Sequence, residues 1–132
     1  MKYSNKQLEA MAQSLGPVLK SRSLVGYKAA VNMRAIKNAL ADYTAYKDSL
    51  IREYGAEIKD DDGNVKDFAV TPSCEGFQDF LRKLSEVSEV EHDVRIMTAI
   101  PDDVIGVLSG EEIMAIDWMM EHGEELADGD NA

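Results

Sequence analysis

Apolar positions recur at helical spacing from the start of the chain. Leu8, Met11, Ala12 and Leu15 form one face of a short helix, and its beginning is marked in the residues before it. Ser4 is placed to accept from the amide of Gln7 while the Gln7 side chain reaches back to Ser4, and Tyr3 and Leu8 occupy the positions of a hydrophobic staple. Gly16-Pro17 ends the helix. Beyond the KSRS connection no proline interrupts Leu24 to Tyr54. There Ala29, Met33, Ile36, Leu40, Tyr43, Lys47, Leu50 and Tyr54 step alternately by four and three, a heptad seam whose only charged member is Lys47. Tyr46 and Ile51 widen the stripe at its far end, and Asp48 precedes Arg52 in the favourable order for an i,i+4 pair.

About 31 helical residues span ~46 Å, whereas a compact domain of this length is roughly 36 Å across. The helix therefore protrudes, bends or finds another chain. Its seam has two readings, a core helix packed on its own neighbours or a dimer contact, and heptads alone do not separate them.

Gly55 stands at the C′ position of this helix. The stretch EIKDDDGNVKD that follows leads to the strand-like VKDFAV, and Thr71-Pro72 reads as the N-cap and N1 of a third helix carrying Phe77, Phe80, Leu81, Leu84 and Val87. Residues 90 to 100, VEHDVRIMTAI, alternate with period two: Val90, His92, Val94, Ile96, Thr98 and Ile100 on one face, Glu91, Asp93, Arg95, Met97 and Ala99 on the other. That strand needs a partner, either the segments flanking Asp62-Gly63 or the same strand of a second molecule. Pro101 stops it. Ser109 with Glu112, and Leu108 with Ile113, then open a last helix through Ile116, Trp118 and Met120 to Gly123, apolar on most sides and so largely enclosed. The expected fold is α+β and helix-dominated, with a long central helix, two or three shorter amphipathic helices and a small antiparallel sheet. One domain covers 1–123 and an acidic disordered tail covers 124–132.

Charge adds a polarity to this picture. The net charge is −11, but Met1 to Tyr54 has nine Lys and Arg against four Asp and Glu, and the rest has five against twenty-one. The excess acid argues against nucleic acid as a partner. Either a basic helix lies on an acidic body, or a partner reads one pole. No apolar run approaches the ~20 residues of a membrane span, and MKYSNKQLEA has no apolar core of a secretory signal. The single Cys74 excludes an internal disulfide and fits a reducing cytoplasm.

Candidate chemistry is sparse. An EF-hand frame with Gly63 at position 6 puts Asp60 and Asp62 at ligand positions 3 and 5, but Ile58 at 1 and Ala69 at 12, so the first ligand and the bidentate carboxylate are missing. Asp62-Gly63 reads better as a type I′ hairpin turn. His92 and His122 have no second ligand at metal spacing, and Cys74, near a helix start, has no local partner base. Glu111-Glu112, Asp102-Asp103 and Glu124-Glu125 read as helix-start or tail charges, and no phosphate-binding glycine loop is present. The chain is expected to be non-enzymatic, without cofactor or metal.

The order of pieces carries a resemblance. A long helix ending LIREYG, an acidic loop with DGN, a helix containing FQDFLRKLSEVSEV, then HDVRIM and IPDDVIGVLSGEEIMAIDWMM resembles the small uncharacterised proteins of tailed-phage and prophage genomes. The short loop after the long helix and the tail EELADGDNA depart from that layout. The resemblance implies a phage setting in a bacterial host, with no catalytic residues to carry over. The function expected is protein–protein association in virion or tail assembly, in the bacterial cytoplasm or on the virion. The chain is expected as a homo-oligomer, a dimer before other states, with a phage or host protein as further partner and no membrane contact. Its interface is expected at Met33, Ile36, Leu40 and Tyr43, with Val94 and Ile96 as a second surface through strand addition. The alternative is an acidic inhibitor of a basic host protein such as a nuclease or DNA-binding protein.

Overall fold

The computed structural model describes residues 2–121. The chain opens as a short strand, β1 (Lys2–Ser4), and turns at Ser4 into α1 (Asn5–Leu15). The capping box forms as the sequence indicates, with Gln7 N donating to Ser4 Oγ and Ser4 N donating to the Gln7 side chain. Leu8, Met11 and Leu15 enter the core. A single 3₁₀ turn, Val18–Lys20, leads to α2 (Leu24–Tyr54), whose 31 residues match the proline-free stretch. Its first turn passes so close to the preceding loop that a Cβ on Gly26 would lie 2.0 Å from the Ser21 carbonyl oxygen. Only glycine fits there.

Gly55 ends α2 in an extended conformation, φ −86° and ψ 165°, not a left-handed one. Its need for glycine is contact, since a Cβ would meet the Ala69 carbonyl oxygen at 2.9 Å. The next two strands, β2 (Ala56–Lys59) and β3 (Val65–Ala69), pair antiparallel with a bulge beside Lys59. Their turn is not type I′, because Gly63 takes a positive φ of 84° and Asp62 does not. Asp60 accounts for the difference. Its carbonyl accepts from Gly63 N, its Oδ1 accepts from the amides of Asp62 and Asn64, and its N–H donates to the Asn64 carbonyl. This is a type I turn closed by a left-handed glycine.

The third helix, α3 (Phe77–Ser88), starts five residues later than Thr71-Pro72 implies. Thr71 instead closes a tight turn on Cys74, whose amide donates to the Thr71 carbonyl. Phe80 of α3 and Leu50 of α2 are buried beyond the main core, and Arg52 of α2 lies over the ring of the hairpin residue Phe68 at 5.6 Å. The chain thus covers the far end of its own long helix.

The expected strand over 90–100 forms only as β4 (Glu91–Asp93). Its partner within the chain is not the hairpin but β1, with Lys2 opposite Asp93, Tyr3 opposite His92 and Ser4 opposite Glu91. Next come α4 (Pro101–Val104), which the sequence reading misses, and α5 (Gly110–Ala115), opened by the expected Ser109–Glu112 box. The last helix is shorter than expected: at Ile116 it tightens to a 3₁₀ turn, Asp117–Met119. Ile116 and Met119 are both fully buried, and a three-residue repeat puts them one above the other. The architecture is α+β and helix-dominated, with two separate two-stranded antiparallel sheets. Among the described residues no helix is long and apolar enough to cross a membrane. The expected acidic tail at 124–132, with His122 and Gly123, lies outside the described residues.

Candidate functional site

The heptad seam is interior, which corrects the expected interface. Ile36 is fully buried, and Leu40 and Tyr43 are buried beside it in one cluster with Leu8, Met11 and Leu15 of α1. Met33 is half-buried against the same cluster. The reason is charge as well as shape. Lys47, the odd member of the heptad, donates to Glu9 Oε2 of α1 at 2.8 Å, and Tyr43 OH donates to Glu9 Oε1 at 3.2 Å. The acceptor for the seam's polar positions therefore belongs to the same chain. Burial and the neighbouring Glu9 carboxylate push the Tyr43 phenol up to about 12.

Val94 and Ile96, the second expected surface, must be divided into side chain and backbone. The Val94 side chain is buried and that of Ile96 half-buried, both packed with the core. The backbone beyond β4 runs without a strand partner, and its carbonyls and amides take sides in alternation. Odd positions face inward. Met97 N donates to Asn32 Oδ1 at 2.7 Å, and Asn32 Nδ2 donates to the Met97 carbonyl at 3.0 Å, so a fully buried amide of α2 stands in for a neighbouring strand. Ala99 N donates to the Met119 carbonyl, and Glu121 N donates to the Ala99 carbonyl.

Even positions face the other way. The Val90 carbonyl accepts from Asn5 N, His92 lies opposite Tyr3 of β1, and Ile100 N donates to the Asp103 carboxylate. Between these, Ile96 and Thr98 make no backbone hydrogen bond among the described residues. They form an edge in line with β1, flanked by the exposed side chains of Arg95, Met97, Thr98 and Ile100. Asp103 below it is fixed twice, by Ile100 N and by Lys28 Nζ at 2.7 Å, and these two donors hold its carboxyl below the usual carboxylate range.

The remaining candidates have structural employment. His92 Nε2 donates to Asn5 Oδ1 at 2.9 Å, and Asn5, buried, donates to the Val87 carbonyl at the end of α3. Asp60 spends its carboxylate on the turn. Among the described residues no group of three His, Cys, Asp or Glu side chains is placed to hold a metal ion. Cys74 borders a groove of about 440 Å³ with Glu53, Tyr54, Glu75 and Gly76. Hydrogen bonds from Thr71 lower its thiol pKa, but among the described residues no histidine or lysine lines the groove.

Sequence reading missed Asn32, a polar residue in an apolar stretch, and that placement was its only signal. It also passed over the exposed apolar residues Leu24, Tyr27 and Ile105. They lie along the α2 end that Lys28 ties to Asp103, Leu24 and Tyr27 within one turn before Lys28 and Ile105 two residues beyond Asp103. No protein-family model matches the chain, and neither a curated protein nor a solved structure does.

Proposed function

We propose that the chain is a non-enzymatic phage or prophage protein that acts through protein–protein association, in virion or tail assembly, and that it docks its partners by strand addition at Ile96 and Thr98. One observation carries this reading: the inward backbone groups of the 94–99 segment are occupied at Met97 and Ala99, while the outward ones at Ile96 and Thr98 continue the β1 side of the ladder with no partner among the described residues. An open edge of this kind takes an extended chain through main-chain hydrogen bonds. The seam at Met33, Ile36, Leu40 and Tyr43 has no part in it, being spent on the core.

The test is a displayed-peptide selection on the wild-type protein, counter-selected on Thr98→Pro. Thr98 is exposed and its amide is unused among the described residues, so proline removes the edge donor and leaves their internal bonds alone. Extended, alternately apolar peptides that bind wild type and not the variant support the proposal. Peptides indifferent to the substitution refute it.

A second reading, the acidic inhibitor of a basic host protein, is favoured by the exposed Asp60, Asp61 and Asp62 at the hairpin tip. It requires salt-sensitive capture of a basic protein that is lost on charge reversal of those three residues.

A further inference from the structure

The partner that best fits the open edge is a second copy of this chain. We infer that two copies pair antiparallel about Met97, Ile96 of each opposite Thr98 of the other, an inference that rests on the association reading above. The register follows from which groups are unused. Ile96 and Thr98 are two residues apart, so their outward N–H and C=O groups match those of the same segment turned end for end. Met97 then faces Met97 across the two-fold axis as a non-hydrogen-bonded pair, the geometry that brings side chains closest. Its side chain is 38% exposed and apolar. Ile100, 41% exposed, adds apolar area at each end.

Charge fixes the direction. Arg95 before the edge and Asp102 beyond it are both exposed, and neither has an ion-pair partner among the described residues. Antiparallel pairing brings Arg95 of each copy toward the Asp102 end of the other, while a parallel arrangement sets like charges together. The register also keeps clear of β1, which fills the same edge only as far as the rung opposite Asp93. Two short strand segments bury well under the ~1,000 Å² of a stable interface. The dimer is therefore weak and reversible, which suits a protein that exchanges its own copy for another strand.

The experiment is sedimentation equilibrium of the full chain from about 1 to 300 µM, the range where so small an interface dissociates, with amide exchange read on the same samples. A monomer–dimer equilibrium is expected, with the Ile96 and Thr98 amides gaining protection as concentration rises. Thr98→Pro is expected to abolish the dimer. Arg95→Asp and Asp102→Arg are each expected to weaken it about tenfold, and the double exchange to restore it. Far-ultraviolet circular dichroism confirms that each variant is folded. A chain monomeric throughout, or a dimer that survives Thr98→Pro, overturns the inference, as does a double exchange that fails to rescue. If displayed peptides still bind the edge of a monomeric protein, the second copy is refuted and the association reading stands. Loss of both removes both.

Discussion

Replacing Asn32 tests whether one side chain stands in for a strand. It is fully buried on α2 and makes both hydrogen bonds of the Met97 backbone. Asn32→Ala leaves an N–H and a C=O without partners. A fully buried orphan costs about 1–3 kcal/mol, and because Met97 is partly exposed the lower end applies, about 2 kcal/mol for the pair. Truncation also leaves a void of roughly 25 Å³, worth about 0.6 kcal/mol at ~24 cal/mol per Å³. The expected loss is about 3 kcal/mol, read from urea unfolding followed by circular dichroism, with fast exchange of the Met97 amide in the folded variant. Asn32→Asp adds a pH signature. Its carboxylate faces the Met97 carbonyl in a buried site, so its folded pKa is raised. The variant is then most stable below about pH 4, the unfolded carboxylate value, and loses stability as pH rises toward the folded pKa. An Asn32→Ala loss under ~0.5 kcal/mol, within the range of an ordinary surface substitution, would refute the reasoning.

Other consequences are sharper in direction than in size. Gly26→Ala should lower the melting temperature although alanine favours helix by about 1 kcal/mol, because its Cβ meets the Ser21 carbonyl oxygen; a raised melting temperature would count against the contact. Ile36→Asp should unfold the chain, losing its helical signal, instead of weakening a dimer, since Ile36 is fully buried. The Tyr43 phenol should ionise near pH 12 by ultraviolet titration, and Glu9→Gln should bring it down. Since its folded pKa is raised, stability falls as pH climbs from about 10 to that value. Asp103→Asn should lower the urea midpoint at pH 7, and the gap to wild type should close as pH drops below about 4, because a carboxyl held low in the fold stabilises above its unfolded pKa and ceases to do so on protonation.

What the sequence made legible is what is decided locally. The boxes at Ser4–Gln7 and Ser109–Glu112 and the limits of α2 depend on neighbours within a turn or on the absence of proline, and they appear where expected. Alternation over 90–100 predicted one inward face, and Val94 and Ile96 keep to it, but Val90, Thr98 and Ile100 are exposed and Ala99 of the other face is buried. The true partner of Met97 is a side chain 65 residues away that no local pattern marks. Asp62-Gly63 has the residues of a type I′ turn, yet the Asp60 carboxylate, by taking two amides, keeps Asp62 out of the left-handed region. The seam was ambiguous in principle, because an internal neighbour and a second helix ask for the same heptad. Only the position of Glu9, once folded, tells them apart.

The first helix is fastened mostly by residues made long after it. β1 waits for β4, the Asn5 amide waits for Val87 and His92, and Ser14 Oγ accepts from Trp118 Nε1, 104 positions later. At ~5–20 residues per second of synthesis, roughly 5–20 s separate the emergence of α1 from that of Trp118. During that interval α1 and α2 have each other, but not the strand, amide and indole contacts that close the core. The nascent chain should therefore resist proteolysis only once the segment around Trp118 has cleared the ribosome, and a product stopped before it is a natural target for clearance.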